Sequence, residues 1–211
     1  MARKTKIETE KTISNILDAA EVIFIRKGVA HTTVADLALQ AGVSRGAVYG
    51  HFEDKTEVCL AMCARALTST AKILERQPGE DALATLQRWG MKYLQVVHSP
   101  GSIRNALEIL YLKCEQSPEF QPLIKMRQVW EAKTQRTTAR LLKEAQERGE
   151  LPRELDVEMA NGYLQCLLAG VSTALWYAEK RDETCWPWVE KLLSVGIESV
   201  QTSAQFKRFT G

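Results

Sequence analysis

The chain is 211 residues long and 45% hydrophobic, enough to bury a substantial core and to hold one domain or two small ones. A formal net charge of +2 excludes a globally basic binder of nucleic acid, so any DNA-directed field has to come from local placement of cations. Five cysteines with no signal peptide ahead of them point to a reducing cytoplasm rather than to a disulfide scaffold.

Arg3, Lys4, Lys6 and Lys11, set against Glu8 and Glu10, make residues 1 to 11 a basic arm. It reads equally well as a contact to phosphates or an adjacent minor groove and as a frayed, solvated terminus. Ile13, Ile16, Leu17, Ala20, Phe24 and Ile25 then recur at helical spacing and predict a supporting helix, with Gly28 as its stop. His31 falls in the following loop and reads as a turn residue rather than a ligand.

The stretch from Thr33 to Lys55 carries the densest information. Val34, Leu37, Ala38 and Ala41 fall on one helical face and Gly42 is placed as a left-handed stop. Ser44 follows as the N-cap of a second short helix, whose first turn is Arg45, Gly46 and Ala47, while Val48 and Phe52 face inward four residues apart. Two helices this short, joined by about three residues, have to cross on a third, which is helix-turn-helix geometry. Such a motif offers the first turn of its second helix to base edges and neighbouring polar groups to phosphates. Arg45 has the fork for both acceptors of a guanine, Ala47 is small enough for a thymine methyl group, and Tyr49, His51 and Lys55 supply donors for phosphate oxygens. The candidate DNA-contacting residues are therefore Thr33, Ser44, Arg45, Gly46, Ala47, Tyr49, His51 and Lys55.

Gly42-Val43-Ser44-Arg45-Gly46 also matches G-x-S-x-G, the nucleophile elbow of α/β-hydrolases. That elbow needs an apolar strand before the serine and acidic and histidine partners after it. The preceding Asp36 to Ala41 has no β-branched residue and has helical spacing, so an enzyme is not expected.

On these residues the sequence resembles the TetR-type transcriptional regulators. Ile16 to Glu21 with Phe24, Lys27 and Gly28 is similar to that family's first helix, Thr33 to Gly42 to its second, and Val43 to Phe52 with Lys55 to its recognition helix and the turn after it. Within the family, Met1 to Lys6 and the run from Val48 through Cys63 look most like the local repressors of multidrug efflux operons of the MexZ and AcrR type. The resemblance implies a dimeric repressor with a ligand cavity in its C-terminal half.

From Lys55 the helical pattern continues through Val58, Met62, Ala66 and Ile73 to Pro78 and Gly79. Prolines 100, 118, 122, 152 and 187 then punctuate apolar-periodic segments at about 80 to 98, 102 to 115, 122 to 148, 156 to 181 and 187 to 203. Gly149 reads as a helix stop and Asp156 as an N-cap. No alternating strand appears. The expectation is an all-α protein of about nine helices, with a helix-turn-helix DNA-binding domain over 1 to 54 and a helical effector-binding and dimerisation domain over 55 to 211.

Tyr163 to Ala178 is the most apolar stretch, but it is too short to span a bilayer and contains Gln165, Ser172 and Thr173. With the last segment it can form a four-helix interface between two subunits. Ala160, Leu164, Leu167, Val171, Ala174, Leu192, Gly196 and Val200 are the candidate dimer residues, although sequence does not separate dimer face from intramolecular core. Cys59 and Cys63, four apart on one helix face, read as buried structural thiols, as do Cys114, Cys166 and Cys185; zinc would need further ligands, and no metal or cofactor is expected.

A candidate effector pocket comes from Trp89, Tyr93, Met126 and Trp130 at near-helical offsets, with Leu107 and Tyr111 on the helix between. The same residues read as ordinary core. Glu108 is the only carboxylate in the apolar run 106 to 112, but its helical angle points away from Ile103, Ala106, Leu107 and Leu110, so it is expected in solvent. The function expected is repression by occupancy of a palindromic operator in double-stranded DNA by a homodimer. Release would come from a small amphiphilic effector, or from an antirepressor protein anchored on Trp186 or Trp188. A bare helical interaction module is the remaining rival.

Overall fold

The computed structural model describes residues 6–68, 79–178 and 185–207. Among them are nine α-helices: α1 (Lys6–Lys27), α2 (Val34–Ala41), α3 (Arg45–Tyr49), α4 (Lys55–Thr68), α5 (Ala82–His98), α6 (Ser102–Glu108), α7 (Gln121–Glu147), α8 (Val157–Tyr177) and α9 (Trp186–Thr202). The described residues contain no strand beyond a single bridge between Leu155 and Lys207. The chain forms two compact units, one of residues up to 71 with 100–129, the other of 72–99 with 130–211.

The first unit is built on α1, which buries Ile16, Leu17, Ala20, Ile23 and Phe24 on one side. Against that side stand Leu37 and Ala38 of α2, Val48 of α3, Phe52 after it, and Val58, Cys59, Met62 and Cys63 of α4. Burial of each such large side chain contributes about 1.5–3 kcal/mol. This matters for α3, which has only five residues and no stability of its own. Cross-ties fix the helix ends: Arg65 of α4 pairs with Asp18 at 2.7 Å, and Asn105 of α6 donates to Glu21 at 2.7 Å. Gly28 closes α1 at φ 78°, and the next amide, of Val29, donates to the Lys113 carbonyl at 3.1 Å.

Two expectations need correction here. The segment 102–115 is not one regular helix: α6 ends at Glu108 and continues as a wider, π-type turn over Ile109–Lys113. The freed carbonyls go elsewhere, that of Lys113 to Val29 and that of Leu110 to the Arg127 guanidinium, which also lies 5.5 Å from the centre of the Tyr111 ring. Glu108 is not in solvent either. Its side chain is 19% exposed and stands 3.7 Å from Arg104 one turn earlier.

The second unit packs α5, α8, α9 and the C-terminal part of α7 around Leu86, Trp89, Leu141, Leu142, Leu164, Leu168, Val189, Leu193 and Ile197. Gly196 permits close helix packing, whereas Gly90 has room for a methyl group. A Cβ on Gly90 would stand 3.6 Å from Leu193 and 3.9 Å from Leu168, and one on Gly196 would overlap Leu167. Asp81 caps α5 through the Ala84 amide, and Glu150 adds its carboxylate to the Ala82 and Leu83 amides at 3.3 and 3.0 Å. The predicted stop at Gly149 is present at φ 75°, and the Gln146 amide nitrogen holds the link after it by donating to the carbonyls of Pro152, Arg153 and Leu155. Asp156 caps α8 at the Glu158 and Met159 amides, both at 3.0 Å. The readings at Arg3, Lys4, Ile73, Pro78 and the end of the 156–181 segment lie outside the described residues.

Candidate nucleic-acid interface

Two capped helices and one turn make the site. Thr33 begins α2 with a reciprocal box, its hydroxyl accepting from the Asp36 amide at 3.1 Å while the Asp36 carboxylate accepts from the Thr33 amide at 3.0 Å. Gly42 ends α2 at φ 65°, as the sequence predicts, and turns the chain into Val43 and Ser44. Ser44 caps α3, its hydroxyl accepting from the Ala47 amide at 3.1 Å. That bond and the helix before it remove the hydrolase reading. The serine follows a helix and its oxygen is engaged as a cap, where an elbow would need a strand and a free hydroxyl.

The resulting surface is an exposed helix start. Arg45 and Gly46 are exposed, Ala47 is half-buried, and a Cβ on Gly46 would meet nothing nearer than the Ser44 hydroxyl at 3.8 Å, so the first turn is low and open. Tyr49 is 51% exposed, whereas Val48, the residue before it, is 1% exposed and fixes the helix to the core. His51 is half-buried.

Two lysines work behind the surface. Lys27, at the end of α1, reaches Asp36 at 2.7 Å, and this ammonium, followed by the Thr33 amide and hydroxyl, lowers the Asp36 carboxyl from 3.8 to about 2. Lys55 is turned inward. Its ammonium donates to the Ala30 carbonyl at 2.8 Å, stands 3.5 Å from Glu119 and lies over the Phe120 ring. Sequence reasoning also passed over Leu39, which is 84% exposed on α2. The signal was present, since Leu39 lies off the face formed by Val34, Leu37, Ala38 and Ala41.

The other candidate residues separate by unit. Trp89, Tyr93 and Trp130 form a stack in the second unit, with ring centres 5.6 and 6.5 Å apart, and burial raises the Tyr93 phenol above its ordinary value. Leu107, Tyr111 and Met126 belong to the first unit; Tyr111 and Met126 pack on the reader's core. Two cavities open in the second unit. One, of about 390 Å³, runs between α5 and α9 past Gln87, Met91, Lys92 and Glu190; the other, of about 20 Å³, lies against Trp89, Thr138 and Leu164. Of the candidate dimer residues, Ala160, Leu164, Val171, Gly196 and Val200 are buried inside the subunit, Leu167 and Leu192 are half-buried, and Ala174 is exposed. The outer side of α8 shows Met159, Gly162, Cys166, Gly170, Thr173, Ala174 and Tyr177, so Cys166 is not a buried thiol; it stands off the Leu164 and Leu168 face. Cys59 and Cys63 are buried as expected. No helix of the described residues is long and apolar enough to cross a membrane.

A capped two-helix reader mounted on a supporting helix, with an all-helical second unit, defines a helix-turn-helix transcriptional regulator. The model for bacterial regulatory proteins of the tetR family matches residues 16–62, and that for the C-terminal region of MAATS-type transcriptional repressors matches 81–180. The probable HTH-type transcriptional regulator ArpR of Pseudomonas putida is 31% identical over 211 residues, spanning 99% of this chain and 100% of its own. The crystal structure of MexZ, a key repressor responsible for antibiotic resistance in Pseudomonas aeruginosa, superposes with a TM-score of 0.85 at 46% identity, covering 94% of this chain and 99% of that one. NalD, the secondary repressor of the MexAB-OprM multidrug efflux pump in the same organism, gives 0.74 at 27% identity over 89% and 97%. The chain belongs to the TetR family of bacterial transcriptional regulators, which are not enzymes.

Proposed function

We propose that this chain is a cytoplasmic, homodimeric, sequence-specific repressor of a multidrug efflux operon, released from a palindromic operator by a small amphiphilic effector. The observation that carries the DNA-binding part is the exposed, Ser44-capped first turn of α3, held by Val48 and Phe52 on a rigid core. Arg45 reads a base edge, Ala47 and Leu39 offer apolar contact to thymine methyl groups or sugars, and Thr33, Tyr49 and His51 face phosphates. Lys55 acts by position, tying the loop before α2 to the turn at 118–120. In this division of labour residues 1–54 read DNA and 55–211 bind effector and partner subunit. The efflux assignment rests on the likeness to NalD, and the likeness to MexZ supports the repressor assignment.

The outer side of α8 supports the dimer, because small and apolar side chains dominate it from Met159 to Tyr177, and α9 adds Val195 at 48% exposure. The stacked rings of Trp89, Tyr93 and Trp130, with the small cavity against Trp89, Leu164 and Leu168, support an apolar, ring-bearing effector. A second release route, capture by an antirepressor protein, is favoured by Trp188, which stands 51% exposed at the start of α9.

The test is fluorescence anisotropy on DNA upstream of the chain's own gene, with scrambled DNA as control, salt varied, and efflux substrates or cell extract titrated in. Selective binding that weakens steeply with salt supports the reading, and drug-driven release identifies the first route. Equal binding to scrambled DNA overturns self-adjacent regulation.

A further inference from the structure

Lys133, Arg136, Arg140 and Lys143 follow one another along α7 at spacings of three, four and three, which places all four on one side of the helix. The opposite side of the same turns is core: Thr138, Leu141, Leu142 and Ala145 are at most 1% exposed. All four cations are exposed, and among the described residues only Arg140 has a carboxylate within reach, Glu144 at 3.8 Å, which is shared with Arg148 at 3.1 Å. Several other cations are paired, as in Lys27 with Asp36, Arg65 with Asp18 and Arg88 with Glu80. Like charges at these spacings destabilise a helix, so the row works against the fold of the chain that carries it.

We propose that this face of α7 docks an acidic segment of a partner protein. The row is about 15 Å long, three turns of helix, and suits carboxylates spaced along a helical or extended segment of similar length. Its end reverses sign at the exposed Glu147, with Glu144 beside it. A polyanion of uniform charge meets repulsion there, whereas a discrete segment with a cation after its acidic run matches all of it. The face also lacks what the rival surfaces need. From Trp130 onward α7 exposes no large hydrophobic side chain to enter a bilayer and no aromatic ring to stack on bases. The proposal stands whether or not the efflux assignment does.

The test uses the full chain and a fluorescein-labelled helical peptide with glutamates at spacings of three, four and three followed by a lysine, and the same peptide with that lysine replaced by glutamate. Duplex DNA without an operator and vesicles of phosphatidylglycerol are run beside them. Expected is preference for the lysine-ended peptide, its binding weakened at least about tenfold by K133Q/R136Q/R140Q/K143Q. A control that removes the same charge from exposed positions off α7, R26Q/R153Q/K191Q/K207Q, keeps the binding. Loss of equal size in both variants, no preference for the lysine-ended peptide, no binding, or tighter binding of duplex or vesicles through these four residues overturns the proposal. The single variants Arg136→Gln and Lys143→Gln, each expected to give part of the loss, keep the test decisive if the fourfold variant does not fold.

Discussion

The Lys27 ammonium at the end of α1 meets the Asp36 carboxylate in the first turn of α2 at 2.7 Å, so the supporting helix and the first helix of the reader are tied by the group that also caps α2. The Asp36 carboxyl sits at about 2 in the folded chain against an ordinary 3.8, owing first to Lys27 and then to Thr33. A folded value below the unfolded one contributes stability that is complete above about pH 5 and lost as pH falls toward about 2. Denaturant midpoints of the natural chain and Asp36→Asn should therefore differ at neutral pH and converge in acid. A difference that stays constant across that range would remove the ionised pair from the account.

Arg45 and Tyr49 separate base reading from phosphate contact. Arg45→Ala should weaken operator binding by about 1–3 kcal/mol and relax preference at one base pair. Tyr49→Phe should weaken operator and scrambled DNA alike. Binding measured across a set of single-base operator variants checks both, and an unchanged preference profile in Arg45→Ala would remove it from the base-reading role.

Ser44 has two tasks that substitution can split. Ser44→Ala removes the hydroxyl that accepts from the Ala47 amide and should lower stability by about 1 kcal/mol. Ser44→Asp keeps a capping oxygen and suits the helix start, so the melting temperature should hold. On the proposed interface the same carboxylate would face phosphate, and DNA affinity should fall well below that of the alanine variant. Equal affinity in the two variants would place Ser44 away from the DNA.

What the sequence made legible and what it hid divide along physical lines. Local signals read true: Gly28, Gly42 and Gly149 take the positive φ that ends a helix, and Ser44 and Asp156 cap the helices they precede. These depend on a few neighbouring residues and need no tertiary context. Other features are set at long range. Lys55 turns inward because a carbonyl 25 residues earlier, at Ala30, accepts from it. The π-type turn at 109–113 exists because Val29 and Arg127 take its carbonyls. Periodicity also places Leu164 and Cys166 in one apolar helix, yet only packing against α9 and α5 makes one core and the other surface.

That last distinction carries a test of the dimer. Gly196 lies where α8 and α9 meet inside one subunit, and a Cβ there overlaps Leu167. Gly196→Val should therefore overpack the core and destabilise the chain by about 1–3 kcal/mol, read as a fall in melting temperature. Ala174 lies on the outer side of α8, exposed and clear of that core. Ala174→Arg adds no atom to the subunit interior and should leave the circular dichroism spectrum unchanged. On a dimer built from the outer side of α8, however, it brings two guanidinium groups together near the twofold axis, and like charges buried without partners oppose association. Size-exclusion chromatography with light scattering should then show a folded monomer, and operator affinity should drop because one reader alone holds only half the site. A folded Ala174→Arg that stays dimeric and binds the operator as before would move the interface to another surface.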